Sequence, residues 1–282
     1  MRFWLATLDR SVMLIRRAFV SLGSILRHDV EVSPMDVQAV ADEFEANGCA
    51  MVRGVLSAAE IARLETELAD FIERVAPTLP QGDIFYEDSA ARPIKSMFRM
   101  DQRSDYFRSL LVDPRLLRLM EAIFPYGPVV RDYVAYFGKP ARQGSVAPAH
   151  QDNAFQCWEP PESLIATLAI DQSTPDNGAL ICQRGSHKLG LQPHRPSGVM
   201  GFSQMLVEPV STDLCPEVQM CMKPGDLCLH HINCVHRSDA NHTARPRRQL
   251  AMGYRSARAK KNEEAARKYR ADLDALYQHP QK

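Results

Sequence analysis

The chain has 282 residues, with 34 basic and 34 acidic side chains in formal balance. That balance argues against a nucleic-acid binder working through a charged surface. The apolar content of 45% is ordinary for a globular protein, and no apolar run approaches the ~18 residues of a membrane span. The seven cysteines are odd in number and contain no CxxC pair, which reads as reduced thiols in a cytoplasmic protein rather than a disulfide or zinc framework.

The first thirty residues, beginning MRFWLATLDRSVMLIRRAFV, are Arg-rich, acid-poor and amphipathic. They read as an N-terminal extension (residues 1–32), a packed or loosely attached helix, with peripheral contact at a membrane surface as the alternative. Ser33 and Pro34 then mark a helix start, with Asp36 complementing the positive helix end. Val37, Val40, Ala41 and Phe44 recur at helical spacing until Asn47-Gly48 closes the helix. CAMVRGVL follows as a strand, and Ser57 to Glu60 form a capping box for a second helix bearing Ile61, Leu64, Leu68, Phe71 and Val75. A Pro-, Gly- and Asp-rich loop spans about 77–93, and Asp113-Pro114 opens a third helix with Leu116, Leu117, Met120 and Ile123 on its apolar side.

After Pro125 the pattern changes to strands, at 129–137, 163–171, 179–187, 217–223, 226–231 and 248–255, with turns at PDNG (175–178) and KPGD (223–226). Many strands without intervening helices predict an all-β sandwich or jelly roll. The segment after Ala257 is a charged helix-former, expected as a solvated helix or tail over 258–282.

Within this half, HQDNAF places His150 and Asp152 two residues apart, hence on one side of a strand, with Gln151 on the other. Three later histidines compete for a third position: His230, His231 and His236. Two imidazoles and one carboxylate form a facial triad that suits Fe(II) and leaves positions open for a bidentate co-substrate and O2. Eleven residues beyond His236, Arg247 offers a planar two-pronged donor for a carboxylate.

These pieces carry a resemblance. FEANGCAMVRGVLSAAEI, YFGKPARQGSVAPAHQD, NGALICQRGSHKLG and PGDLCLHHINCVHRSDANHTARPRR together resemble the phytanoyl-CoA dioxygenase family of Fe(II)/2-oxoglutarate oxygenases over about residues 35–257. The resemblance implies a mainly β fold, a double-stranded β-helix (a cupin-like jelly roll) with N-terminal helices packed on it, and a catalytic domain at 33–257. It implies metal ligation by His150, Asp152 and His236. It places the co-substrate arginine at Arg247, with Arg248 as the adjacent alternative, and further 2-oxoglutarate contacts at Lys139, Thr167 and Ser238. Asp152 is the carboxylate that halogenase-like relatives replace.

YEDSAARPIKSMFRMD, HQDNAF, GVMGFSQ and HHINCVHRSDAN look most similar to a small-molecule branch that includes aminoethylphosphonate and quaternary-ammonium-phosphonate hydroxylases. HQDNAFQCWEP departs from that branch, so the substrate side of the pocket is expected to differ; Asn153, Phe155 and Trp158, with Arg99 from a covering N-terminal region, are the substrate candidates, with packing for Trp158 and a surface salt bridge for Arg99 as the alternatives. The implied reaction is hydroxylation of an unactivated C–H bond of a small polar or zwitterionic metabolite, with release of succinate and CO2. A lipid or acyl-CoA substrate, and a non-catalytic metal- or 2-oxoglutarate-binding sensor, are the alternatives. His187 and His194 read as loop residues and Cys157 as a packed thiol.

Overall fold

The structure is a computed structural model, and it describes residues 36–199 and 201–278. The first helix, α1 (Val37–Asn47), starts on a different cap from the expected one: the Asp36 carboxylate accepts a hydrogen bond from the Ala39 amide at 3.0 Å, so the side chain already in the first turn does the capping. Ser33, Pro34 and the N-terminal extension lie outside the described residues. After β1 (Cys49–Val52), the predicted capping box forms as read, Ser57 accepting from the Glu60 amide while Glu60 Oε2 accepts from the Ser57 amide at 2.8 Å. It opens α2 (Ala58–Arg74), whose Ile61, Leu64, Leu68 and Phe71 are buried.

The stretch expected as a loop also makes structure. It contains β2 (Ile84–Tyr86), which pairs antiparallel with β3 (Ile94–Met97) and extends the main sheet. A short helix α3 (Asp105–Leu110) precedes α4 (Pro114–Ile123), where Leu119 joins Leu116 and Met120 in the core while Leu117 stays half-buried.

The strand-rich half then runs β4 (Val129–Lys139), β5 (Ala147–His150), a one-turn helix α5 (Asn153–Gln156), β6 (Trp158–Glu159), β7 (Ser163–Ala169) and β8 (Leu180–Gln183). It continues through β9 (His194–Val199), β10 (Phe202–Leu206), β11 (Glu217–Met220), β12 (Leu227–His231), β13 (His236–Ser238), β14 (Arg247–Ser256), β15 (Lys260–Lys261) and α6 (Glu263–Gln278). Six of these strands match the expected ones in position, although β8 ends at Gln183 because Ser186–Leu189 turns into a 3-10 helix. The strand expected at HQDNAF ends at His150, with Asp152 already in the α5 turn, and β9, β10 and β13, which are short or polar, add strands beyond the expected ones.

Seven strands form one antiparallel sheet in the order β1-β12-β7-β14-β4-β3-β2, and four form a second in the order β11-β8-β13-β5. Alternation along each strand explains what the two faces of the large sheet do. Leu164, Ala166 and Leu168 of β7, Leu227 and Leu229 of β12, and Leu250, Met252 and Tyr254 of β14 share one apolar core with α2 and α4. The intervening residues, including Thr167, Cys228, His230, Arg247 and Gln249, therefore occupy the opposite face, and all five are buried. This is the jelly-roll sandwich: one face of the sheet is sealed by helices, and the other lines an interior furnished with polar groups.

Candidate active site

His150 ends β5 and His236 begins β13, and antiparallel pairing sets them directly opposite each other. Their rings lie 4.2 Å apart, centroid to centroid. Asp152, two residues past His150, starts the α5 turn, so its carboxylate swings back over the same point. Its Oδ1 is 3.5 Å from His150 Nε2 and 3.7 Å from His236 Nε2. The ligand atoms of all three residues fall within 4.8 Å of one another, and all three are buried.

Both imidazoles are held in a metal-ready form. His150 Nδ1 lies 2.7 Å from the Pro148 carbonyl and His236 Nδ1 lies 3.0 Å from the Cys234 carbonyl. Each contact requires the ring to donate from Nδ1, which leaves an Nε2 lone pair facing Asp152. Burial, with the neighbouring His150, pushes His236 down to about 3, so its ring is neutral at ordinary pH.

His230, one of the competing candidates, takes a different place. It sits on β12 of the large sheet, with Nε2 3.2 Å from Asp152 Oδ2, the oxygen that the other two rings do not share. Burial alone would lower it, but hydrogen bonds with Asp152 and Cys228 raise it to about 9, so it is the charged donor of the group. Burial would likewise raise the Asp152 carboxyl, and the surrounding imidazoles hold it well below the usual carboxylate range. His231, the third candidate, faces away, with its Nδ1 accepting from the Asn233 amide at 2.9 Å. Gln151 points opposite to the two ligand candidates and is fully buried, tying Gly190, Gln192 and Asn233 into a shell around the β5 end. His194 Nε2 accepts from the Gln151 amide, and His187 bonds the Glu45 carbonyl, far along the chain from the triad.

A second cluster is cationic. Arg247 on β14 pairs across strands with Lys139 on β4, and both side chains are buried. Arg247 donates to the Gly178 carbonyl at 2.9 Å and to the Gln249 amide oxygen, while its Nε–H has no partner. Among the described residues no carboxylate hydrogen-bonds it. Burial lowers its pKa to about 10, and burial followed by the Arg247 charge lowers Lys139 to about 7. Two buried cations side by side, one with an orphaned donor, form a cradle suited to an anion. The PDNG turn supplies its wall: Gly178 has φ +85°, and a Cβ there would lie 2.6 Å from Lys139 Cδ, so only glycine lets the turn carbonyl reach Arg247.

The neighbouring arginine resolves differently. Arg248 projects from the other face, bonds Asp171 through Nε at 2.9 Å and Nη2 at 2.8 Å, and reaches Glu65 at 2.6 Å. Thr167 lies on the interior face of β7, and Ser238 is buried on β13 two residues after His236.

The substrate-side candidates split. Phe155 lies beside His150, its ring 6.2 Å from the imidazole and 6.4 Å from Tyr269 of α6. Asn153 braces the α5 turn by accepting from the Trp158 amide at 2.7 Å and donating to its carbonyl. Trp158 is clamped between Arg255 and Lys261, 4.4 and 4.7 Å from its ring. Arg99 ion-pairs with buried Asp83 from an exposed, left-handed position.

Three other residues line the site without having been signalled by the sequence. Phe202 on β10 lies 5.8 Å from His150 and stacks on Phe137 at 6.4 Å. Lys95 is buried, with Nζ 5.1 Å over the Phe202 ring and 4.0 Å from Glu87. Tyr133 is raised by burial and then by the Asp152 charge, and it accepts from Gln156 at 3.3 Å. Phe202 and Lys95 fall within segments quoted for the resemblance, but no short motif marks either one.

Residues 44–249 match the family model described as phytanoyl-CoA dioxygenase (PhyH). The chain is 25% identical over 234 residues to the peroxisomal phytanoyl-CoA dioxygenase of Rattus norvegicus, covering 77% of this chain and 68% of that protein. It is 23% identical over 229 residues to a probable alpha-ketoglutarate-dependent hypophosphite dioxygenase of Stutzerimonas stutzeri, covering 77% and 78%. Among solved structures, the epimerase SnoN in complex with Fe3+, alpha ketoglutarate and nogalamycin RO superposes with a TM-score of 0.66 at 21% identity, over 80% of this chain and 85% of that one. EctD from S. alaskensis with 2-oxoglutarate and 5-hydroxyectoine superposes with a TM-score of 0.64 at 21% identity, over 77% and 74%.

Proposed function

The chain belongs to the phytanoyl-CoA dioxygenase family of iron- and 2-oxoglutarate-dependent oxygenases, and from that premise we propose that it hydroxylates a C–H bond of a small polar or zwitterionic metabolite. The observation that carries the chemistry is the convergence of His150, Asp152 and His236 on one buried point. We assign these three as the Fe(II) ligands. Fe(II) bound there would supply the redox chemistry that couples O2 and 2-oxoglutarate decarboxylation to substrate oxidation.

The chain's own residues do the rest. Arg247 and Lys139 bind the distal carboxylate of 2-oxoglutarate, with Arg247 offering its orphaned Nε–H and Lys139 its charge. Thr167 and Ser238 flank that co-substrate. Phe155, Phe137 and Phe202 wall the reacting region and keep water away from it. Asn153, Trp158 and Arg99 act on the substrate side by shaping the α5 turn and the 83–99 segment.

The substrate class rests on Lys95. A buried ammonium beside Glu87 and above Phe202 is costly to keep unless it meets a polar ligand, and an anionic or zwitterionic group answers it where a long acyl chain does not. Catalysis is assigned to residues 33–257, with 258–282 as a flanking extension. No helix among the described residues is long and apolar enough to cross a membrane. A cytoplasmic setting agrees with seven unbridged thiols, and peripheral membrane contact is left to residues 1–30.

The test is succinate release by the purified chain with Fe(II) and 2-oxoglutarate across small amines, phosphonates and acyl-CoAs. Stimulation by an amine or phosphonate, lost in His150→Ala, is expected. Unchanged succinate formation in His150→Ala would sink the ligand assignment, and stimulation by acyl-CoAs alone would overturn the substrate class.

A further inference from the structure

Behind the imidazoles, the interior faces of the two sheets bring four thiols together. Cys49 lies on β1, Cys182 on β8, Cys228 on β12, and Cys234 in the turn just before β13. The sulfurs of Cys49, Cys182 and Cys234 all lie within 4.8 Å of one another. Cys228 packs in the same buried cluster, and the Cys234 thiol donates to the Gln183 carbonyl at 3.6 Å. Cys49 is 2% exposed and the other three are fully buried. Ala169, Met220 and Met222 pack around them and exclude water.

A single buried cysteine behaves as a small apolar side chain. Four from separate segments, three with sulfurs within 4.8 Å of one another and the fourth, Cys228, in the same buried cluster, offer a ligand set. We propose that Cys49, Cys182, Cys228 and Cys234 hold a structural Zn2+ ion, a second metal centre separate from the iron site. A tetrahedral zinc bonds each sulfur at about 2.3 Å, which spaces the sulfurs about 3.8 Å apart. Sulfurs within 4.8 Å of one another are compatible with that spacing. A disulfide, with its sulfurs about 2.0 Å apart, would use only two of the thiols.

The donor set also fits by its chemistry. Thiolates select zinc over the harder ions that the His-carboxylate site accepts. Each thiol gives up its proton to solvent as the bond to zinc forms, with no change of oxidation state. Arg184 adds positive charge near Cys49, which suits a zinc–thiolate centre. The centre would tie β1 and β12 of the large sheet to β8 and β13 of the small one, directly under the iron ligands.

The test reads the metal, not the reaction. The chain is purified from zinc-supplemented cells, its zinc content is measured, and its zinc X-ray absorption is recorded. About one zinc per chain with an all-sulfur shell near 2.3 Å is expected. Cys182→Ala should lose that zinc, whereas His236→Ala should lose iron and keep it. Zinc well below one per chain in the wild type, or zinc in a nitrogen- and oxygen-ligated shell, overturns the proposal. If Cys182→Ala does not fold, the wild-type spectrum alone decides. A failed iron site would leave this result untouched, so the two readings stand or fall separately.

Discussion

His230 donates to the one Asp152 oxygen that His150 and His236 leave free, at 3.2 Å. The contact crosses from the large sheet to the small one and fixes the rotation of the carboxylate. Partners of this kind typically govern metal affinity by about 10–100-fold when removed. His230→Ala should therefore weaken Fe(II) binding by about that factor, read by iron titration, while iron still binds at saturating concentration. His230→Gln, which can restore a donor, should recover most of the loss. An iron affinity equal to wild type in His230→Ala would show that Asp152 needs no such brace.

The two adjacent arginines should part cleanly on mutation. Arg247 is buried with a free donor, and a hydrogen bond from a charged group contributes about 1.5–3 kcal/mol. Arg247→Met should raise KM for 2-oxoglutarate about 10- to 100-fold, and Arg247→Lys should rescue little because it cannot supply the planar fork. Arg248 faces out to Asp171 and Glu65. Arg248→Ala should leave that KM unchanged and cost at most about 1 kcal/mol of stability. The reverse pattern would move the anion cradle to the other face of β14.

Lys139 predicts a pH dependence with a definite sign. Burial and Arg247 lower it to about 7, so the free enzyme loses the Lys139 proton as pH rises through neutrality. A dianion prefers the protonated form and raises the lysine pKa on binding. Affinity for 2-oxoglutarate is therefore full below pH 7 and falls as pH climbs above it, until the pKa of the complex is reached. Isothermal titration from pH 6.5 to 9 should show the decline, and Lys139→Met should bind more weakly with a flat profile. A profile rising with pH in the wild type contradicts the assignment.

Much of this was legible one residue at a time. The capping box at Ser57 is a local contract between positions three apart, so it reads from sequence and forms as read. His150 and Asp152 do lie together and apart from Gln151, but not by strand alternation along the whole stretch: β5 ends at His150, and the helical backbone at Asp152 swings its carboxylate back. The short strand β13 was not legible, because it draws its pairing from partner strands and not from its own pattern. Phe202 and Lys95 escaped notice for the same reason: nothing near them in the chain says that they meet.

By itself, the amino-acid order determined the element types, the HxD edge and the presence of a late histidine and arginine, since these depend on periodicity, caps and residue chemistry within a few positions. That His236 sits opposite His150 while His231 faces away, and that Arg247 faces the interior while Arg248 pairs with Asp171, belonged to the tertiary structure, in which strand register decides which face each side chain occupies. The gathering of Cys49, Cys182, Cys228 and Cys234 is the clearest instance. Their irregular spacing reads as scattered thiols, and only the closing of two sheets on one another brings the sulfurs of Cys49, Cys182 and Cys234 within 4.8 Å of one another, with Cys228 in the same cluster.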